Sequence, residues 1–353
     1  MGARTRGLAN NVLSSGKLDA TDAISGTIAA ANIADASLTS ATTFGSITGG
    51  VPAVASDPPS PAEGDIWYNT TTGALRFRAK QNSWSTGGNM NTARAYIGSA
   101  GIQTAALAFG GDAPPATAVT ESYNGSSWTE VNDLNTARNA LGGAGTQTSA
   151  LAFSGATPSP YTGATESWNG TSWTEVNDMN TARTGLGGAG ADNTSALGFG
   201  GFAPPTTGVT ESWNGTSWTE VNDMNVGRFN LGGLGTQTAA LTFGGQPTTA
   251  ATESWNGTSW TEVNDLNTPR YGLAGAGTQT SGLAYGSSSF TGVTESWDGT
   301  SWTETNDMST GRVYPGGTGA DNTSALAFGG DSGPGYQTLT EEWGGVDTTF
   351  TVG

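Results

Sequence analysis

A chain of 353 residues with neither cysteine nor histidine has given up most side chains that enzymes use as nucleophiles, bases and transition-metal ligands. Thiolate and imidazole nucleophiles, Ser-His-Asp triads, zinc sites with N/S ligands and disulfides are all excluded. What remains is carboxylate chemistry, and the chain holds 29 Asp and Glu. A pair of such groups can hydrolyse a glycoside, but a working acid and base should stand apart from any pattern. Most of these acids do not. They belong to copies of one stretch: "ESYNGSSWTEVND" from Glu121, "ESWNGTSWTEVND" from Glu166, Glu211 and Glu253, and "ESWDGTSWTETND" from Glu295. Among the acids outside these copies, Asp112 and Asp331 fall in equivalent loops and are expected to face solvent. No catalytic residue, metal or cofactor is assigned, and the chain reads as a non-enzyme.

The same stretch offers Asn-Gly-Thr, a glycan-acceptor pattern. Its last copy has Asp298 in place of Asn, which removes the acceptor and keeps a turn sequence that can close a β-hairpin. The turn is what every copy preserves. A two-residue turn is expected at Asn124–Gly125, setting Glu121 opposite Trp128; a four-residue turn would oppose Glu121 and Glu130, a like-charge pair that costs stability.

Two further residue classes could act on a partner. Seven aromatics answer to no strand period: Tyr161, Phe202, Phe229, Tyr271, Phe290, Tyr314 and Tyr336. They are candidates for stacking against a ligand. Six arginines, Arg94, Arg138, Arg183, Arg228, Arg270 and Arg312, share one repeat position. Each stands near an Asp (Asp133 before Arg138, Asp178 before Arg183) and a half-buried Glu such as Glu121 or Glu166, so a structural tie between neighbouring repeats is their expected role. They are also the only cations after Lys80, facing 23 acids in residues 81–353, which account for the whole net charge of −17. So acidic a surface repels phosphates and argues against nucleic-acid binding.

The elements behind these residues repeat every 42–45 residues, a period typical of propellers and arrays. The chain is dense in glycine (56) and in aromatics (12 Trp, 11 Phe, 8 Tyr), as many short strands with tight turns would require, so the class is all-β. No apolar run reaches the length of a membrane span. One unit, Asn177 to Val221, parses into four strands, "GLGGAG", "ALGFGG", "VTESW" and "SWTEV". Gly and Ala suit crowded strands near an axis, and Trp suits the wider gaps outside.

An Arg after a short loop, an apolar strand ending in Gly-Gly (Gly110–Gly111, Gly200–Gly201, Gly244–Gly245, Gly329–Gly330), then an aromatic, a turn and a Trp resemble the kelch repeat over about 270 residues. The aromatic-to-Trp gap is shorter than the usual kelch gap. The resemblance implies a six-bladed kelch-like β-propeller with one repeat per blade. Kelch-like oxidases need copper ligands and a cysteine that this chain lacks. The sialidase turn Ser-x-Asp-x-Gly-x-x-Trp is missed by one residue at Ser296–Trp302. The last unit lacks its fourth strand. Trp84, near the other end, is expected to supply it by pairing with the strand of Trp343; the alternative is closure by Asp347–Val352.

With alternating strand directions, the 2–3 and 4–1 loops share one face. On that face the 2–3 loops vary ("DAPPATA", "FAPPTTG", "QPTTA"), as do the two residues after each Arg, whereas the 3–4 turns are nearly invariant. Rigid scaffolds commonly carry binding on such loops. Three segments follow: an extended arm at 1–56, a linker at 57–80 with a short hairpin (Ile66–Asn69, Ala74–Arg78), and the propeller at 81–353. "GTIAAANIADASL" and "GDIWYNTTTGALRF" resemble N-terminal parts of bacteriophage tail-fibre and related virion appendage proteins. That resemblance implies a virion location, attachment to other virion proteins through the arm, a trimer, and neither nucleic-acid binding nor membrane insertion. The expected function is display of a propeller that binds a host-surface glycan or protein; the alternatives are a non-receptor-binding structural or decoration protein and, less favoured, a carboxylate glycosidase.

Overall fold

The computed structural model describes residues 51–352 except Glu63 and residues 158–160; the bulk of the expected arm, residues 1–50, lies outside the described residues. The described residues are all-β with no helix, and they divide into two units. Residues 83–344 form one. The described residues up to Asn82 and those from Gly345 onward form the other. Residues 345–352, expected in the propeller, instead group with the hairpin, where Phe350 stacks on Phe77 with ring centroids 4.9 Å apart.

In the smaller unit the expected hairpin forms, with Ile66–Asn69 antiparallel to Ala74–Phe77. Ala53–Val54, expected to be extended arm, pairs parallel with Tyr68–Asn69. Asp57 ties the sheet together. It accepts from Trp67 Nε1 at 2.9 Å and Asn69 Nδ2 at 2.8 Å and pairs with Arg76. The Asn69 and Trp67 bonds hold its carboxyl below the ordinary value.

The larger unit is a multi-blade, propeller-like ring. Five four-stranded antiparallel sheets repeat one pattern; the first runs Gly98–Ile102, Ala105–Phe109, Thr120–Tyr123, Trp128–Val131. The sixth takes Gly316–Asp321, Ser324–Phe328 and the start of Thr340–Val352, and its outer strand is the end of Ala74–Thr86. Each inner strand touches the next, and the sixth returns to the first. Close approach explains the glycines there: a Cβ on Gly143 would stand 2.5 Å from Ser99 O, and one on Gly275 would stand 2.8 Å from Gly233 O.

The gaps between sheets are filled by the aromatics. Phe109, Phe153, Phe199 and Phe243 each pack against the outer-strand Trp of the following sheet, Trp173, Trp218, Trp260 and Trp302, at 4.9–5.0 Å. Phe328 meets Trp128 in the same way at 4.8 Å, and Tyr285 meets Trp84 at 4.9 Å. The indole Nε1 of each outer-strand Trp also donates to a third-strand Thr of the preceding sheet: Trp173 to Thr120, Trp128 to Thr340, Trp84 to Thr294. Trp84 thus holds the position of the missing outer Trp, 5.4 Å from Trp343. The N-terminal strand completes the sixth sheet; Asp347–Val352 does not.

The hairpin register departs from expectation. Tyr123 pairs with Trp128 and Glu121 with Glu130, so the turn has four residues, not two. Asn124 Oδ1 accepts from the backbone N–H of Ser126 and Ser127, both at 3.0 Å, and Gly125 adopts φ 89°. The like-charge pair survives because its members see different surroundings. Glu121 is buried against Arg94 at 2.6 Å, while Glu130 is exposed. The arginine cancels the cross-strand repulsion that the sequence pattern alone implies.

Candidate functional site

The six arginines are fully buried, each paired with the third-strand Glu of its own sheet: Arg94–Glu121, Arg138–Glu166, Arg183–Glu211, Arg228–Glu253, Arg270–Glu295 and Arg312–Glu341. The glutamates are buried outright rather than half-buried. The aspartates have another job. Asp133 Oδ1 accepts from Thr120 N, and Asp178, Asp223, Asp265 and Asp307 repeat the contact at the start of the third strand in the next four sheets. Each Glu also gathers the loop that carries its arginine; Glu211 accepts from Asn180 N at 2.7 Å, Asn180 Nδ2 at 2.9 Å and Thr181 N at 3.2 Å. The arginine's backbone reaches the preceding sheet, since Gly155 N donates to Arg183 O at 2.9 Å. Burial pulls each guanidinium below its ordinary value, and the paired Glu acts against that pull. None of these cations is available to a ligand.

The varied loops lie together on one face: Gly111 N donates to Arg138 O, and Leu134 N to Ala118 O, joining the 2–3 loop to the 4–1 loop. The opposite face holds the repeated turns and both ends of the ring's chain, Ser83 and Gly344. At the centre of the varied face the second residues after the arginines form a closed circle of backbone hydrogen bonds. Ala140 N donates to Tyr96 O, Gly185 N to Ala140 O, Asn230 N to Gly185 O, Gly272 N to Asn230 O, Tyr314 N to Gly272 O and Tyr96 N to Tyr314 O, at 2.7–3.0 Å. All six residues have φ between 48° and 67°, the left-handed region that favours glycine. Behind this circle the central channel of about 110 Å³ is lined almost entirely by Gly, Ala, Ser and Thr of the inner strands. It presents backbone and no reactive side chain.

The seven candidate aromatics divide into groups around this mouth. Tyr161, Phe202 and Phe229 form one chain of contacts, with centroids 5.9 and 5.3 Å apart. Tyr271 and Tyr314 lie in another at 6.5 Å, which also takes in Tyr96, stacked on Tyr314 at 3.8 Å. Tyr336 donates its phenol to Asp112 Oδ2 at 2.7 Å. Phe290 is 45% exposed; the other six are half-buried. Burial and the bond to Tyr96 push the Tyr314 phenol up, and burial with the bond to Asp112 takes Tyr336 to about 12. The ring thus brings together residues that the repeat scatters by more than 200 positions.

Sequence reasoning missed Tyr96 as a site residue and set aside Asp112 and Asp331, which are half-buried beside it. The signal was present: all three break the repeat at positions where the other copies vary. Asn230, which bonds Gln246 Oε1 at 2.9 Å and reaches the Tyr314 hydroxyl at 3.4 Å, was likewise visible only as a variable residue.

No family model and no curated protein matches this chain. Among solved structures it is similar to one described as "Structure of YjhT", with 13% identity over 72% of this chain and 96% of that one, and a TM-score of 0.62. At that identity the likeness establishes a shared multi-blade, all-β propeller-like fold and carries no function.

Proposed function

We propose that this chain is a bacteriophage virion protein, a tail fibre or spike, whose six-bladed kelch-like β-propeller binds the host cell surface. One observation carries the reading: six near-identical modules differ most in the loops of a single face, and that face gathers half-buried aromatics around its mouth. Loops that vary on a rigid scaffold are the usual place for recognition. Within the ring, the chain ends lie on the side opposite the varied loops. Residues 1–56 are read as the attachment to other virion proteins, and the likeness of "GDIWYNTTTGALRF" to tail-fibre segments supports the virion assignment and a trimer. Purified full-length protein should bind host cells and block adsorption of the particle that carries it. Protein that neither binds cells nor competes would refute the reading.

A second reading, a structural or decoration protein without a receptor, is favoured by the aromatics' contacts with one another, which use part of their surface. Labelling the protein on intact particles separates the two. A hydrolytic role would fall to Asp112 and Asp331, and release of sugar from a bound polysaccharide would establish it.

A further inference from the structure

The charge of the ring restricts what it can bind. Residues 81–353 contain six arginines and no lysine, and all six arginines are 0–1% exposed and ion-paired. The ring therefore displays no cation, while Glu130, Glu175, Glu220, Glu262 and Glu304 stand exposed around it. An anionic ligand would meet only repulsion and find no partner for its charge.

Within the varied face one junction is chemically unlike the rest. The positions equivalent to Asp112 hold Ala156, Phe202, Gln246, Ser288 and Asp331, as their contacts with the loops after the arginines show. Only Asp112 and Asp331 are charged, and they belong to the first and sixth sheets, which adjoin. Tyr336 donates to Asp112 Oδ2, and Gly333 N donates to Asp331 Oδ1. Asp112 Oδ1 and Asp331 Oδ2 have no side-chain or backbone donor among the described residues. Tyr96 and Tyr314 stand beside them at φ 55° each, where repeats three and five use Gly185 and Gly272. Ala140 and Asn230 share this left-handed φ, so the ring imposes the conformation, and what sets this junction apart is that it holds two aromatic side chains there.

We propose that this junction binds an uncharged carbohydrate, its ring against the Tyr96–Tyr314–Tyr336 group and its hydroxyls donating to Asp112 and Asp331. Carboxylates are strong acceptors for hydroxyl donors, and tyrosine offers an apolar face with a polar edge. A directly bound cation is disfavoured, because no group of three or more potential metal-ligating side chains occurs among the described residues. The inference rests on the host-binding reading and narrows it to neutral sugars.

The test is an array of neutral hexose and N-acetylhexosamine oligosaccharides beside sialylated, sulfated and phosphorylated ones, probed with full-length protein with and without EDTA, alongside host-cell binding. Binding confined to neutral sugars and indifferent to EDTA is expected. Asp112→Asn should weaken it about tenfold, the scale of one charge-assisted hydrogen bond, and Tyr336→Phe, which removes the phenol that orients Asp112, should weaken it by a smaller factor, each variant melting within a few degrees of the parent. Binding to anionic glycans, an EDTA-sensitive interaction, or neutral-sugar binding unaffected by both variants would overturn the inference and leave the host-binding reading standing. Cell binding with no glycan bound would do the same. Loss of both cell and glycan binding would remove the two together.

Discussion

Replacing Arg183 with Ala tests whether the repeated arginine holds the ring together. Arg183 is wholly buried, bonded to Glu211 Oε1 at 2.7 Å and Gly198 O at 3.1 Å. Its Nε is buried without an acceptor among the described residues. Truncation leaves the Glu211 carboxylate buried without its counter-charge, and breaking such a pair costs about 3–5 kcal/mol. For a ring of this size each kcal/mol moves the melting temperature by about 2–4 °C, so a fall of about 10 °C is expected. A double replacement, Arg183→Met with Glu211→Leu, separates two accounts. If the charge pair were all that mattered, an apolar pair of similar volume would restore stability. But Glu211 also accepts from Asn180 N, Asn180 Nδ2 and Thr181 N. Orphaning those donors costs about 1 kcal/mol or more each, so the double variant should stay at least as unstable as the single. Urea titration and calorimetry give both numbers. A single variant melting within 2 °C of the parent, or a double variant at parental stability, would refute the reasoning, as would lost ligand binding with unchanged melting.

Trp84→Ala removes the indole that fills the gap beside Tyr285 and bonds Thr294; a cost of about 3–5 kcal/mol and protease cleavage near the 83–344 boundary are expected, and an unaltered digestion pattern would count against N-terminal closure. Tyr285→Phe restores the residue found in the other five repeats, yet it deletes a donor to Leu326 O at 3.0 Å. It should lower stability by about 1 kcal/mol, contrary to the usual gain from consensus substitutions; calorimetry decides. The Tyr123 phenol is pushed up to about 12, first by burial and then by its bond to Glu342. A raised folded value favours the neutral form, so this contribution is complete below pH 10 and is lost as pH climbs toward 12. Tyr123→Phe should therefore flatten the fall in stability between pH 10 and 12, measured by urea titration at each pH.

Much of the ring was legible because repetition is a strong signal. Trp84 and Trp343 announced their pairing by the position each lacked, and the Gly-rich strands announced their place by composition. The hairpin register was misread for a physical reason. The pairing of Glu121 with Glu130 looks unfavourable only while Arg94, 27 residues away in sequence, is left out. The likeness of Asp133 to an arginine partner failed similarly, because nearness in sequence says nothing about which sheet end a carboxylate caps. The C-terminal residues were assigned to the ring by continuity, although Phe350 had a closer partner in Phe77. At the varied face the aromatics could be named but not grouped. Tyr336 and Asp112 are 224 residues apart and meet only because the ring closes.

The sixth sheet is the one that no single stretch of chain builds, and the departures from the repeat concentrate around it. Tyr285 replaces Phe in the fifth sheet, and its hydroxyl donates into the sixth at Leu326 O. Tyr123 replaces Trp in the first sheet, and its hydroxyl meets Glu342, which itself replaces the Ser found in every other copy. Tyr96 and Tyr314 join the same two sheets on the varied face. The composite sheet therefore receives an added hydrogen bond from each neighbour, about 1 kcal/mol apiece, where covalent continuity is lacking. The Tyr123–Glu342 pair also favours a single order of closure, since no other copy of the repeat carries a Glu at the position of Glu342. That requirement and the binding proposal meet at one junction: the place where the chain must recognise its own beginning is also where its outer face is least uniform.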